Sequence, residues 1–248
     1  MSFQRPGTDF APATPCTDEV GGLACALADA GPTEIIAAAL RTLGPGRLCL
    51  VSSFGTESAV LLAYAAEVDR SIPVIFLDTG FLFEETLSYR DTLAARLGLT
   101  DVRSIQPDAA RVAALDEGRD LWFTDPDTCC RIRKVEPLAR ALEGFDGWLN
   151  GRKRYQGGLR ASIPVVERDG ARLKFNPLAN LDRAGVEAAH RDFALPDHPL
   201  LAKGFTSVGC MPCTSRAAAA GEESRAGRWR GKGKTECGIH TLLSTVSA

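Results

Sequence analysis

Short apolar runs alternate with helix-patterned stretches from residue 33 to residue 192, and this alternation confines the chain to an α/β fold with a mostly parallel, twisted sheet flanked by helices. Arg47–Ser52, Ile72–Leu77, Asp101–Ile105 and Trp148–Gly151 have strand length. Thr33–Leu43, Ser58–Val68, Leu82–Leu97, Pro107–Glu117 and Cys130–Leu142 read as helices, the first capped by Thr33. Ile163–Glu167 and Arg172–Phe175 flank Asp169-Gly170, a strong hairpin signal. Asp182–Asp192 reads as the last helix, and beyond about residue 200 the periodicity gives way to a Gly-, Arg-, Lys- and Cys-rich tail. The expected organisation is an N-terminal extension (1–30), a nucleotide-binding α/β body (31–205) and a loop-rich C-terminal segment (206–248).

With 248 residues, 45% of them hydrophobic, the chain can bury a core without disulfide staples. A net charge of −2 argues against a general nucleic-acid binder. The longest apolar run, Ala59–Ala66, falls far short of the roughly 18 residues that a membrane span needs. Residues 1–15 contain no apolar signal core, so the sequence predicts a cytoplasmic protein with a ragged leading extension and no stable disulfides. Cys16, Cys25 and Cys49 stand alone, and Cys49 is expected in the core.

Ser52-Ser53-Phe54-Gly55-Thr56-Glu57-Ser58 joins a strand to a helix. Such a junction gathers backbone N–H groups and the positive end of a helix dipole, and the hydroxyls add donors, so it suits an anion. It lacks the lysine of the GxxxxGK[ST] loop. Asp78-Thr79-Gly80 ends the next strand, and Arg152, Lys153, Arg154 and Arg160 follow a later one. All would stand at the carboxyl edge of a parallel sheet, where ligands bind.

Cys129-Cys130 and Cys210-x-x-Cys213 are two pairs able to supply four thiolates to one metal centre. Spacing alone does not choose between zinc and iron, and CxxC is also a redox pattern. Lys134 lies one helical turn after Cys130. In the tail, Arg225, Arg228, Arg230, Lys232 and Lys234 precede Cys237, with His240 nearby and Glu236 as the only acid between Arg225 and His240. Cationic surroundings favour thiolate, so Cys237 is a candidate nucleophile.

The pieces SSFGTES, LDTG, CCRIRKVEPL, KFNPLANL, GCMPCT, RAGRW and KTECGIH, in this order, resemble the phosphoadenylyl-sulfate/adenylyl-sulfate reductases of assimilatory sulfate reduction, which have a PP-loop, adenine-nucleotide alpha-hydrolase-like fold. The resemblance is to the cluster-bearing branch, which prefers adenylyl sulfate. It implies one 4Fe-4S cluster on Cys129, Cys130, Cys210 and Cys213, with Lys134 tuning its charge. It also implies a nucleophile at Cys237 and contacts to substrate phosphate or sulfate from Arg225 and Arg228; position at the sheet edge adds Ser52–Ser58, Asp78, Thr79, Arg152 and Arg160 as expected substrate contacts, and nearness to Cys237 adds His240 as an assisting group. The implied reaction yields sulfite and AMP through an S-sulfocysteine, on the way to cysteine biosynthesis. Thioredoxin, a separate protein, would be the electron donor. Lys153-Arg154-Tyr155-Gln156-Gly157 departs from the family's usual Arg-Arg-Asp-Gln-Ser. The 3′-phosphorylated nucleotide is the alternative substrate, an ATP-using PP-loop enzyme is a more remote alternative, and the sequence leaves homo-oligomerisation open.

Overall fold

The computed structural model describes residues 18–217, 225, 227–229, 231 and 234–240. In chain order these form α1 (Glu19–Ala26), α2 (Pro32–Leu43), β1 (Leu48–Ser52), α3 (Ser58–Val68), β2 (Val74–Leu77), α4 (Glu84–Leu97), β3 (Val102–Ile105), α5 (Ala109–Leu115), α6 (Leu121–Thr124), α7 (Pro126–Cys130), a π-helical turn (Arg131–Val135), α8 (Glu136–Ala141), β4 (Gly147–Leu149), β5 (Val166–Asp169), β6 (Arg172–Phe175) and α9 (Arg183–Asp192). One six-stranded sheet has the order β3-β2-β1-β4-β6-β5. All neighbours are parallel except β5 and β6, the expected hairpin.

Alternation within the strands builds a core on each face of this sheet. Leu48 and Leu50 of β1 join Val74, Phe76, Leu149 and Phe175 on one face. Cys49 and Val51 join Ile75 and Trp148 on the other. Cys49 is fully buried, as expected, and burial pushes its thiol up to about 12. Gly147 opens β4 where a Cβ would come within 2.8 Å of the Leu173 carbonyl oxygen and 2.6 Å of Leu43, so no larger residue fits between β6 and α2.

The strand order places the site. The chain runs outward from β1 to β2 to β3, then crosses back to β4 on the other side of β1. The crevice at the carboxyl ends of β1 and β4 is therefore a topological switch point. The loops after β1, β2 and β4 all open there.

Several expectations need correction. Thr33 lies inside α2; Gly31 holds the N-cap position without a side-chain bond, and Pro32 starts the helix. The ordered body begins before residue 31. Asp18 caps α1 by accepting from the Gly21 amide at 2.7 Å, and Val20, Ala24 and Leu27 are buried in the main core. Cys25 is disulfide-bonded, against the expectation of none; Cys49, Cys129, Cys130, Cys210, Cys213 and Cys237 are not in disulfides. The expected helix from Cys130 to Leu142 is interrupted by the π turn, in which the Glu136 amide bonds the Arg131 carbonyl five residues back. Pro137 has no N–H to offer the next carbonyl in an α pattern, which accounts for the local change of winding. Residues 1–17, including Cys16, lie outside the described set, as do Arg230 and Lys232. Among the described residues no helix is long and apolar enough to cross a membrane.

The segment after α9 is tied to α4 through His198. Its Nδ1 accepts from the Leu200 amide at 3.2 Å, which leaves Nε2–H to donate to Thr86 Oγ1 at 3.2 Å. The ring is 1% exposed. Burial brings its pKa down from 6.5 to about 4, with Glu85 opposing weakly. Between those values the unfolded chain binds a proton that the folded chain refuses. This contribution to stability is whole above about pH 6.5 and is lost as pH falls toward 4. Replacing His198 by Gln is expected to flatten the decline in thermal midpoint across that window; an unchanged slope would remove His198 as its source. Gly147→Ala is expected to cost about 1–3 kcal/mol by overpacking, read in denaturant unfolding.

Candidate functional site

A single cavity at the switch point collects side chains from across the chain. The loop after β1 contributes Ser52, Ser53, Gly55, Thr56, Glu57 and Ser58. Thr79 enters from the loop after β2, and Asn150, Arg152, Lys153, Gln156 and Arg160 from the loop after β4. Lys134 of the π turn, the 206–210 segment, and Arg225, Arg228, Trp229, Glu236, Cys237 and His240 of the tail complete the wall.

The loop after β1 is held by its own hydroxyls. Ser52 Oγ accepts from the Phe54 amide at 3.1 Å, and Ser58 Oγ from the Gly55 amide at 3.0 Å. Ser53 and Ser58 hydroxyls lie 3.3 Å apart. Thr56 Oγ1 donates to the Thr206 carbonyl at 2.9 Å, so that donor is committed to protein. A Cβ on Gly55 would stand 3.0 Å from the Val208 carbonyl oxygen, and only glycine lets the 206–210 segment pack this closely.

Two residues expected to bind substrate do not line the cavity. Phe54 adopts φ +47° and turns into the core, edge-on to Phe76 at 5.4 Å between centroids; it anchors the loop from beneath. Asp78 faces the outer side, where it accepts from the Gly80 amide at 3.2 Å and from Gln106 at 3.3 Å. Glu57 lines the cavity, but its carboxylate is taken by Lys153 (2.8 Å), Tyr155 (2.8 Å) and Gln156 (2.9 Å). Burial works against that charge, yet Lys153 and the hydrogen bonds hold the Glu57 carboxyl below its ordinary range. Tyr155, at the point where the sequence departs from the family pattern, thus braces the loop after β1.

The cations are crowded. Arg152 pairs with Glu167 and also bonds Asn150 and Asn176. Arg160 Nε and Nη2 meet Glu236 at 2.5 and 2.9 Å, and Arg225 reaches the same carboxylate at 3.3 Å. Burial, and then repulsion from Arg160, bring Arg152 and Arg225 each down to about 10. His240 stacks on Trp148 at 5.6 Å with rings 4° from parallel. Its buried Nδ1 has no hydrogen-bond partner among the described residues, and burial followed by Arg152 and Lys174 keeps it well below its usual pKa, hence neutral.

The two cysteine pairs converge. Cys129, Cys130, Cys210 and Cys213 are all buried and line one small cavity with Phe81, Trp122, Pro126 and Pro212. Cys210 and Lys134 border both cavities, so they form the partition between the cysteine cluster and the site holding Cys237. Burial pushes Cys129 up to about 12 and Cys130 to about 11. Cys210 goes the other way: burial opposes its thiolate, but Lys134, the Thr79 hydroxyl at 3.3 Å and Arg228 prevail. For Lys134, burial is outweighed by Cys210, Cys237 and Cys130, which hold its ammonium above the usual lysine value. Among the described residues no group of three or more metal-binding side chains is arranged for a single ion. Four thiols around a common hollow fit a polynuclear cluster, which spreads its thiolates more widely than one ion does.

The tail is docked on the CxxC segment. Thr214 and Arg228 form an antiparallel bridge, the Trp229 amide donates to the Cys213 carbonyl at 3.1 Å, and Ser215 N donates to the Gly227 carbonyl at 2.8 Å. Trp229 packs with Cys210 and Cys213, and Arg228 lies over its ring at 4.4 Å. Sequence reasoning missed Trp148, Asn150, Gln156, Glu236 and the 206–209 segment as cavity walls. Glu236 alone carried a signal, as the single acid in a basic stretch.

Comparison with known proteins places the chain in one family. Residues 47–216 match the phosphoadenosine phosphosulfate reductase domain. The chain is 49% identical over 216 residues to the adenosine 5′-phosphosulfate reductase of Mesorhizobium japonicum, covering 87% of this chain and 85% of that one. It is 50% identical over 195 residues to the protein of the same name from Chelativorans sp., covering 79% of each. The crystal structure of phosphoadenylyl-sulfate reductase from Candida auris, in a phosphate complex, superposes with a TM-score of 0.68 at 28% identity, covering 79% of this chain and 95% of that one. The chain belongs to the phosphoadenosine phosphosulfate reductase domain family.

Proposed function

We propose that this protein reduces adenylyl sulfate to sulfite and AMP, with Cys237 as nucleophile and thioredoxin as electron donor. The observation that carries the reading is the position of Cys237: it shares one cavity with the hydroxyl-rich loop Ser52–Ser58 and with Lys134, Arg152, Arg160, Arg225 and Arg228. Relatives that share about half of their residues with this chain bear the name adenosine 5′-phosphosulfate reductase, which supports the unphosphorylated nucleotide.

The nucleotide's phosphate lies against Ser52, Ser53 and Ser58, which line the cavity. Arg225 and Arg228 draw the sulfonate toward the tail and neutralise charge as the bond to AMP lengthens. Cys237 thiolate attacks the sulfonate sulfur. The S–O bond to the nucleotide breaks, AMP departs with that electron pair, and Cys237 becomes S-sulfocysteine. A thioredoxin thiolate then attacks Cys237 Sγ and expels sulfite. The second thioredoxin thiol displaces Cys237 from the mixed disulfide, so the dithiol supplies both electrons. Neutral His240 beside Trp148 offers a hydrogen bond to the bound nucleotide without adding charge.

Cys129, Cys130, Cys210 and Cys213 would hold a 4Fe-4S cluster, whose negative charge would sit against Lys134 and help order the site. No step of this reaction draws electrons from it. A reducing compartment such as the cytoplasm suits the chemistry, because it keeps Cys237 and the donor dithiol reduced.

Cys237→Ser is expected to abolish sulfite formation while AMP still binds, measured by a thioredoxin-coupled assay and by calorimetry. Retained turnover would remove Cys237 from the mechanism, and faster turnover of the 3′-phosphorylated nucleotide by the wild type would overturn the substrate assignment. Protein purified without oxygen is expected to be brown, with broad visible absorption that Cys213→Ser abolishes. A colourless, iron-free and fully active protein would exclude the cluster.

A further inference from the structure

The tail reaches the cavity through two ionic anchors that lie just before the nucleophile in the chain. Lys234 pairs with Asp127 of α7. Glu236, adjacent to Cys237, sets both carboxylate oxygens on Arg160, 76 residues earlier in the chain, at 2.5 and 2.9 Å. A fork-on-fork pair of this kind fixes direction as well as distance. The side chains are 10% and 15% exposed, so water screens the pair weakly. Arg225 adds a third contact to the same carboxylate at 3.3 Å. Arg160 bonds Gln156, and Gln156 bonds Glu57, so the chain of contacts ends in the helix-capping turn after β1.

We infer that Glu236 is a positioning residue for the sulfonyl transfer: by gripping Arg160 and Arg225 it holds the Cys237 backbone at one place over the nucleotide site. The inference rests on the proposed role of Cys237. Three features support it. First, a cysteine adjacent to a residue held at two points retains little freedom beyond its own χ1. Secondly, Arg160 and Arg225 converge on the one carboxylate of Glu236, and burial followed by repulsion from Arg160 lowers the pKa of Arg225, so Glu236 is the anion that keeps two like charges together. Thirdly, burial disfavours the Glu236 charge, yet Arg160 and Arg225 hold its carboxyl below the ordinary range, so the anchor stays ionised at neutral pH.

The opposite role is a carboxylate that blocks the arginines until substrate displaces it. That role predicts faster transfer and tighter binding when the charge is removed. Positioning predicts slower transfer at saturating substrate. The observations favour positioning, because Arg228 and Lys134 border the same cavity without a carboxylate partner among the described residues and remain to meet the incoming anion.

The test is single-turnover mixing of anaerobic protein with adenylyl sulfate, thioredoxin omitted, with quenched samples analysed by mass spectrometry for SO3 on the Cys237 peptide. Loss of one charge-assisted hydrogen-bond pair predicts that Glu236→Gln slows the maximal rate of labelling by about 10- to 100-fold. The concentration giving half the maximal rate should not rise. Glu236→Asp, which keeps the charge on a shorter arm, should recover part of the rate, and that recovery separates positioning from a folding defect. Wild-type labelling with Glu236→Gln equally fast or faster overturns this inference alone. No labelling of the wild type overturns the proposed function beneath it.

Discussion

Like charges crowded at a half-buried edge are the constraint that organises this molecule. Lys134, Arg152, Lys153, Arg160, Arg225 and Arg228 border one cavity, and low local polarity would drive them apart unless anions stood between them. The protein supplies those anions from distant parts of the chain. Glu57 after β1 answers Lys153 after β4, Glu167 of the hairpin answers Arg152, and Glu236 of the tail answers Arg160. Each pair costs desolvation, and such pairs are weak evidence for stability as such. Their effect is on shape: every one of them joins two segments that the backbone alone leaves independent. The cavity proposed to take a sulfated nucleotide is thereby kept assembled when the nucleotide is absent.

The sheet explains why these segments meet at all. Crossing from β3 back to β4 puts two strands side by side whose following loops diverge, and a crevice opens between them. The loop after β1 closes one side with serine hydroxyls, and the loop after β4 closes the other with cations. The fit between the two loops is set by small details. Gly55 admits the 206–210 segment, and Phe54 accepts a left-handed backbone to drop its ring onto Phe76.

The sheet and its edge were legible in the sequence because both depend on local pattern. Apolar runs of strand length and a dipeptide turn at Asp169-Gly170 carry their own geometry, and a parallel sheet then dictates where the intervening loops stand. The cysteine pairs were equally legible, since spacing of thiols is a chemical statement. What stayed hidden was direction. Phe54 sits in the middle of a ligand-binding string yet points to the core, and Asp78 ends a strand at the correct edge yet turns outward. Side-chain direction in a loop is decided by partners such as Phe76 and Gln106, which lie far off in sequence. The same holds for Thr33, displaced from the cap position because Pro32 begins the helix one residue sooner, and for α1, whose two buried side chains, Val20 and Ala24, are too few to show a period.

Contact between the tail and the CxxC segment bears on what a cluster would contribute. Trp229 lies against Cys210 and Cys213, its amide bonds the Cys213 carbonyl, and Gly227 passes so near Ser215 that a Cβ would come within 2.3 Å of that carbonyl oxygen. Any group that fixes the two cysteine pairs also fixes this strand of contacts, and through it the approach of Cys237. Lys134 and Cys210 form the partition, so charge on one side of it is felt on the other. An electron carrier would need a route to substrate and a redox change in the reaction that thiols could not perform. Neither is required here, because a dithiol exchange accounts for both electrons. Under the proposed mechanism, a cluster would give Cys237 mechanical and electrostatic support, in keeping with buried thiols, Lys134 at their border and a tail laid directly upon them.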